Sequence, residues 1–415
     1  MPDRIDDLWR DAAPQVIGAL VRRYGDFEAA EDATQEALLA AAQQWPAEGV
    51  PDDPRAWLIR VASRKLIDAR RRDTARLRRE ATAAAMTPAD ELVTPAAEAD
   101  PDAGDDTLAL LLLCAHPALT TASQVSLTLR AVGGLSTAQI AQAFVVPETT
   151  MAQRISRAKQ TIREAGARFR PPAPADLADR TAAVLHVLYL IFNEGYTDLQ
   201  SQDLAREAIR LTRTARAVLP DDGEASGLLA LMLLTDARRP ARQRTDGTLV
   251  PLDEQDRALW DRARIAEGVA LIESTLARAA VGPYQLQAAI AAIHAEAPTS
   301  EATDWRQIEA LYRILERFGP NIMVTLNRSV AAAMAYGPER GFAVLRTIED
   351  DPRLKRHHRL HAVRAHLLEM AGERERAADS YRLAARLSTS LPEQAHLTGR
   401  AARLGESLEE TNGNA

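Results

Sequence analysis

The side chains in this sequence that are best suited to chemistry lie between Leu135 and Lys159. Met151, Ile155 and Ala158 repeat at helical spacing there and should face a protein interior. The side chains left on the outer face can hydrogen bond to base edges and phosphates in a DNA major groove. They are Thr149, Thr150, Gln153, Arg154, Arg157 and Lys159. The same pattern also fits an ordinary helical hairpin in an all-helical protein.

A second set of candidates follows a turn-rich loop at 46–54. The segment from Pro54 to Glu80 contains ten Arg or Lys residues and three acidic residues. A basic helix with an embedded aromatic side chain suits single-stranded or distorted DNA, because cations follow the phosphates while a flat side chain or a loop pocket holds an unstacked base. The alternative is a solvent-exposed basic face with Trp57 anchored in the core. The candidate residues are Arg55, Trp57, Arg60, Arg64, Lys65, Arg70, Arg71 and Arg72.

Other chemistry has weaker support in the sequence. Cys114 and His116 are too few to hold a metal, and a packed helix end explains them better. His357 and His361 share a helix face, but no cysteine lies near them. No phosphate-binding loop, zinc-protease motif or nucleophile elbow occurs. We therefore expect no metal, no cofactor and no enzymatic activity; an enzyme would have to be built on an incomplete set, Glu194, His294 and Glu296.

The composition places these candidates on helices. Ala and Leu dominate, aromatic residues make up 4% and β-branched runs are short, so the predicted fold class is all-α. A chain of 415 residues is too long for one core, and a net charge of −7 restricts nucleic-acid contacts to local basic patches. The single cysteine, a charged start and the absence of a bilayer-length apolar run predict a soluble, cytoplasmic protein without membrane contact.

The chain can be divided by charge, proline content and repeats. We predict a helical module at 1–80, an acidic flexible linker at 81–106, a second helical module at 107–170 and a proline-rich linker at 171–175. A helical extension domain at 176–280 and helical repeats at 281–415 follow. The spacing of Gly337 and Gly372 is close to the tetratricopeptide period, which favours a solenoid with a concave face for a peptide or protein.

The motifs of the first 170 residues resemble those of bacterial RNA polymerase sigma factors of the extracytoplasmic-function group. Sigma region 2 is resembled by the segments Asp32–Leu38 and Pro54–Asp68 with the Arg70–Arg72 run. Sigma region 4 is resembled by Gly134–Ala141 and Thr150–Lys159. The rest resembles a subgroup with a long C-terminal tetratricopeptide-like extension, through the segments Asp106–Leu119, Leu188–Tyr196, Gly282–Ile290 and His294–Trp305. One departure is the turn Val145–Glu148, where the family commonly has Leu-Gly-x-Ser.

The resemblance implies a role for each set of candidates. Asp32, Gln35 and Glu36 fall where the family docks on the polymerase clamp, although alone they fit a solvated acidic face. The loop 47–53 falls where the family captures a flipped base of the −10 element, and Arg55–Arg72 where it holds the melted strand. The helix bearing Thr149 falls where the family reads the −35 element. The implied partners are the clamp and flap regions of core polymerase, promoter DNA and, on the repeats, a protein or peptide.

Two other functions fit parts of the pattern. A stand-alone helix-turn-helix regulator with a helical sensor domain would bind duplex DNA without polymerase. A helical scaffold with an incidental basic face would not bind DNA at all. We expect a sigma initiation factor that acts by binding and strand separation, with a C-terminal extension that regulates it.

Overall fold

The computed structural model describes residues 2–82, 106–167, 169, 172–197, 202–244, 248–278 and 280–412. These residues form eighteen α-helices and no β-strand, which confirms the predicted all-α fold class. The chain divides into a first unit, Met1–Val218, and a second unit, Leu219–Ala415. Residues 83–105, which make up most of the predicted acidic linker, lie outside the described residues.

The first unit opens with three packed helices. They are α1 (Pro2–Tyr24), α2 (Phe27–Glu48) and α3 (Pro54–Thr82). Asp26 caps α2 by accepting a hydrogen bond from the Ala29 amide at 3.0 Å, which satisfies one of the free amides of the first turn. α2 continues past Pro46 to Glu48, so the loop before α3 is shorter than predicted. The core between the three helices contains Ile17, Leu20, Ala30, Ala37, Leu58 and Leu66.

Six further helices complete the first unit. They are α4 (Thr107–Cys114), α5 (Thr121–Ala131), α6 (Thr137–Ala143), α7 (Glu148–Glu164), α8 (Pro174–Thr197) and α9 (Gln202–Val218). α8 and α9 pack on α4 and α5. The Arg180 guanidinium donates to the Leu112 carbonyl, and Arg210 donates to the Val132 carbonyl at 3.3 Å. The boundary between the two units therefore falls inside the segment 176–280 that the sequence predicted as one domain.

The second unit is a succession of helices with short connections. It contains α10 (Gly223–Asp236), α11 (Arg262–Leu276), α12 (Pro283–Glu296), α13 (Trp305–Leu315), α14 (Ile322–Tyr336), α15 (Pro338–Leu345), α16 (His358–Met370), α17 (Arg374–Leu387) and α18 (Leu391–Asn412). Short 3₁₀ turns cover Arg239–Ala241, Leu252–Glu254, Arg257–Leu259 and Glu316–Phe318. Most helices pack mainly on their neighbours in the chain, although α10 packs most extensively on α12, and the second unit has several local cores.

Helices α10 and α12 of the second unit approach each other closely. The Glu224 carboxylate accepts hydrogen bonds from the Tyr284 and Gln285 amides, both at 3.0 Å, and so caps the start of α12. One turn along α10, Gly227 faces the backbone of Gln285, where a Cβ atom would lie 2.6 Å from the amide nitrogen. A side chain at this position would force the two helices apart.

Gly227→Ala should lower the free energy of unfolding of the second unit by about 1–3 kcal/mol, because the overpacking outweighs the better helix propensity of alanine. Gly399→Ala is the matched control, since the nearest atom to its added Cβ is 3.9 Å away on the flexible Arg403 side chain. The control should be neutral or stabilising by about 1 kcal/mol. Chemical denaturation of the two full-length variants makes the comparison, and equal effects would contradict the close packing.

Candidate nucleic-acid interface

Helices α6 and α7 are joined by a short turn and carry the first candidate set. Ser136 and Gln139 form a capping box at the start of α6: the Gln139 amide donates to Ser136 Oγ at 3.1 Å, and the Ser136 amide donates to Gln139 Oε1 at 2.8 Å. α6 ends in a Schellman motif, in which the Val145 and Val146 amides donate back to the carbonyls of Gln142 and Ala141. Val145 has a φ of 50° and is 87% exposed. A β-branched residue is strained in that conformation, because its branched Cβ crowds the neighbouring backbone.

α7 presents most of the predicted side chains outward. Met151, Ile155 and Ala158 are buried, as their spacing predicts. Thr149, Thr150, Gln153 and Arg157 are exposed and Arg154 is half-buried. These five side chains can therefore approach a groove of DNA from one helix.

The sixth predicted residue of α7, Lys159, does not lie on the outer face, and that part of the prediction is wrong. Its side chain is 8% exposed, and its Nζ donates to the carboxylates of Glu31 and Asp32, the second at 3.1 Å. Burial alone would lower the pKa of Lys159, but the two carboxylates together raise it, so the ammonium stays charged. Lys159 follows Ala158 in sequence, and only the packing of α7 against α2 shows that it faces inward.

Glu31 is the centre of the contact between the two modules, and the sequence analysis did not single it out. It is 1% exposed, and Arg130 Nε of α5 lies 2.9 Å from its Oε1 while Lys159 binds its Oε2. Beside it, Arg163 Nη1 of α7 lies 2.6 Å from a carboxylate oxygen of Glu28. The sequence contained one indication of this contact: Glu31 lies between Ala30 and Ala33, which are buried. A carboxylate that is buried with them requires a cationic partner.

The predicted acidic set of α2 shares one helix face. Asp32, Gln35 and Glu36 are spaced at i, i+3 and i+4, which places them together. The Asp32 side chain is 67% exposed although Lys159 contacts it, and Glu36 is exposed with Lys65 Nζ 3.4 Å from its carboxylate. The side-chain nitrogen of Gln35 is buried and has no hydrogen-bond partner among the described residues. This face therefore presents two exposed carboxylates, each with one lysine beside it.

α3 carries the basic face that the sequence predicted. Arg60, Arg64, Lys65, Arg70, Arg71 and Arg72 are exposed, whereas Arg55 and Trp57 are half-buried. Trp57 packs edge to face on the buried Trp45, with ring centroids 5.5 Å apart, so it is partly a core residue. Arg70 also donates to the Tyr24 carbonyl at 3.0 Å, which ties the face to the end of α1. On the buried side of α3, Leu58 lies fully inside, whereas Ile59 and Val61 are half-buried.

The cysteine and histidine side chains that were considered as metal ligands contact other groups of the protein. Cys114 Sγ is buried against the Leu127 carbonyl at 3.9 Å, and burial raises the pKa of its thiol. His357 caps α16 by accepting from the Arg359 amide at 3.3 Å, and His361 lies 3.2 Å from the Lys355 carbonyl. Within the described residues, no group of three or more His, Cys, Asp or Glu is placed to hold a metal. None of the described helices is both long enough and apolar enough to cross a membrane.

Comparison with known proteins identifies three domains along the chain. Residues 8–76 match Sigma-70 region 2, residues 109–162 match Sigma-70, region 4, and residues 180–276 match a family of unknown function, DUF6596. The "Probable ECF RNA polymerase sigma factor SigI" of Mycobacterium tuberculosis is 33% identical over 165 residues, which are 39% of this chain and 55% of that protein. No solved structure matches the chain.

A second relative matches almost end to end. The "Uncharacterized protein R00370" of Rhizobium meliloti (strain 1021) is 40% identical over 407 residues, which cover 95% of this chain and 94% of that protein. The chain therefore belongs to the same family as the R00370 protein, and it carries Sigma-70 region 2, Sigma-70 region 4 and DUF6596 domains in that order.

Proposed function

We propose that this protein is a sigma initiation factor, which directs core RNA polymerase to promoters and helps to open the −10 element. The exposed basic face of α3, placed in one unit with the helix-turn-helix of α6 and α7, is the observation that supports this proposal most strongly. Its mechanism is binding and strand separation without covalent chemistry. It acts in the cytoplasm, where polymerase and promoter DNA meet.

We assign the two DNA contacts to separate helices. The basic face of α3, with Arg55, Trp57 and the short loop before it, holds the melted −10 strand, because its cations can track successive phosphates. The outward side chains of α7 read the −35 element in the major groove: Thr149, Thr150, Gln153, Arg154 and Arg157. Lys159 is left out of this set because its charge is already paired inside the protein.

We assign polymerase docking to Asp32, Gln35 and Glu36. The exposure of the Asp32 and Glu36 carboxylates supports an interface on this face. The Asp32 carboxylate is held by Lys159 in the free protein, so docking on this face has to compete with a contact from α7. Polymerase binding should therefore loosen the contact between α2 and α7.

The double variant Asp32→Ala, Glu36→Ala should bind core polymerase at least about tenfold more weakly than the natural protein, because two interface charges are lost. The matched control is Asp176→Ala, Asp179→Ala, which removes two exposed acids from α8 of the same unit. Affinity for core polymerase, measured by surface capture or fluorescence anisotropy, separates them. If both variants bind core polymerase with equal affinity, this face of α2 is not the docking surface.

We further propose that the second unit, a tetratricopeptide-like helical array, regulates the sigma modules. A truncation after Val218 should change the amount of promoter-directed transcript at equal protein concentration. This end point keeps α8 and α9, which pack on α4 and α5, whereas a truncation after Pro174 would expose the core of the first unit. An unchanged transcript level, with and without cell extract as a source of effectors, would exclude a regulatory role.

The second candidate function is a stand-alone helix-turn-helix regulator with a helical sensor domain. The exposed polar face of α7 is compatible with it. It requires duplex binding without polymerase, whereas the sigma proposal requires polymerase for promoter selection. Binding to the same promoter fragments with and without core polymerase distinguishes the two.

A further inference from the structure

The second unit contains a cavity of about 220 Å³ that the sigma modules do not explain. Its lining comes from residues 251–257, from Ser300 and from helices α12, α13, α14, α16, α17 and α18, so segments far apart in the chain contribute to it. The volume is below the ~300–1,000 Å³ of drug-sized sites, which limits a ligand to the size of a small metabolite.

Arg257 supplies an uncompensated positive charge to this cavity. Its Nη1 donates to the carbonyls of His294 and Ala297 at 2.7 and 2.8 Å, and its guanidinium stacks on the Trp260 ring at 4.4 Å from the centroid. No carboxylate of the described residues forms an ion pair with it, and its other N–H groups have no acceptor there. Burial and the nearby Arg238 and Arg262 lower its pKa, and Glu301 opposes them only weakly. A guanidinium stays protonated in proteins, so this charge favours an incoming anion.

The other arginine of the cavity has a different role. Arg400 Nη2 donates to both carboxylate oxygens of Glu369 at 3.0 and 2.9 Å, and Glu254 lies 3.4 Å from its Nη1. Glu369 also accepts from the Tyr381 hydroxyl at 2.8 Å. Because its charge is paired with these carboxylates, Arg400 stabilises the cavity wall. Arg257 is therefore the arginine that can contact an anion.

Three histidines add hydrogen-bonding groups around the cavity. His294, His366 and His396 line it, and none of these side chains has a hydrogen bond to the described part of the protein. Burial lowers the pKa of each ring, that of His294 to about 4 with help from Arg238 and Arg257. At neutral pH each imidazole is uncharged and offers one donor and one acceptor. No metal group is formed by these residues within the described chain.

The remaining lining is mostly apolar. Trp305, Val330 and Met334 form one side, with the Trp305 ring edge to face against His294 at 5.1 Å. The Trp305 indole nitrogen is buried and has no hydrogen-bond partner in the described part of the chain. Asp253 is the one carboxylate among the lining residues, and it is exposed to solvent. Among the described residues, the cavity thus combines the guanidinium of Arg257, which has no carboxylate partner there, with neutral polar groups and an apolar wall.

We propose that this cavity is a receptor site for a small carboxylic acid with an apolar or aromatic body. The carboxylate binds Arg257, polar substituents meet the three imidazoles, and the body packs on Trp305 and Met334. An amino acid could add an ammonium group towards Asp253, and the experiment separates that case. The binding claim does not depend on the role proposed for the sigma modules.

The test is calorimetric titration of the full chain with phenylacetate, L-phenylalanine, isovalerate and the uncharged phenylacetamide. We expect at least one carboxylate to bind, with phenylacetamide at least tenfold weaker than phenylacetate. Tighter binding of phenylalanine would identify an amino acid as the ligand class. Arg257→Gln should weaken carboxylate binding at least tenfold, whereas the exposed Arg317→Gln should leave it unchanged.

A second variant guards against a folding defect in Arg257→Gln, which also loses two hydrogen bonds to backbone carbonyls. Met334→Trp fills the cavity from its exposed edge and removes no hydrogen bond, so it should also abolish binding. Quenching of Trp305 fluorescence by bound ligand gives an independent readout. Three results would overturn the proposal: no carboxylate binding at millimolar concentration, equal affinity for phenylacetamide, or undiminished binding by both variants.

Discussion

Glu31→Ala should lower the free energy of unfolding of the first unit by about 3–5 kcal/mol, the largest effect of a single substitution that we expect in this protein. The substitution leaves Lys159 buried without its main partner, and it removes the carboxylate that Arg130 contacts at 2.9 Å. A buried charge that loses its buried partner costs more than the pair contributed, because its hydration is not restored. Lys159 would keep only the exposed carboxylate of Asp32, at 3.1 Å. The contact between α2 and α7 should open as a result.

Hydrogen exchange with mass spectrometry measures this effect, because it reports peptides of α2 and α7 separately from those of the second unit. The control is Glu36→Ala, whose carboxylate is 51% exposed and lies 3.4 Å from Lys65. An exposed pair of this kind contributes about 0–1 kcal/mol. If both variants exchange alike, Glu31 is not the centre of the contact.

Replacing three arginines of the basic face by glutamine, at Arg60, Arg64 and Arg71, should weaken single-stranded DNA binding by the polymerase complex about 100-fold at ~0.1 M salt. All three side chains are exposed on α3. Log affinity decreases with log salt concentration, and each lost phosphate contact makes this dependence less steep by about 0.7. The slope of the variant should therefore be about 2 smaller in magnitude. The fold should be little affected, since these side chains are not part of the core.

The matched control for this variant replaces Arg317, Arg340 and Arg346, three exposed arginines of the second unit. It changes the net charge by the same amount, so it should leave both affinity and salt slope close to those of the natural protein. Fluorescence anisotropy over a range of salt concentrations gives both quantities. A similar loss for the control would show that overall charge, and not the face of α3, holds the strand.

Local patterns in the sequence predicted much of the helical structure. Met151, Ile155 and Ala158 are buried on α7 as their spacing predicts, and Gly337 ends α14. Capping residues, glycine and proline carry this information, and they act within a few residues of themselves. The end of α2 was predicted less well, because proline in a last helical turn is compatible with the helix continuing.

The contacts between distant segments could not be predicted in the same way. Glu31 and Lys159 are 128 residues apart, and helical spacing defines only which face of its own helix each residue occupies. The cavity of the second unit could not be predicted for the same reason, because Arg257 and the three histidines come from separate helices and loops. Such sites depend on how helices pack, and single-sequence periodicity does not contain that information.

The central claim, that this chain gives core polymerase its promoter specificity, is tested most directly by strand opening. Core polymerase, the full chain and genomic DNA of the source organism are mixed, and unpaired thymines are mapped by permanganate reactivity. We expect opened DNA segments at specific sites only when both proteins are present. We expect these segments to disappear when Arg60, Arg64 and Arg71 are all replaced by glutamine. Binding of the chain alone to the same specific DNA sites would contradict a sigma function. So would the absence of opened DNA when both proteins are present.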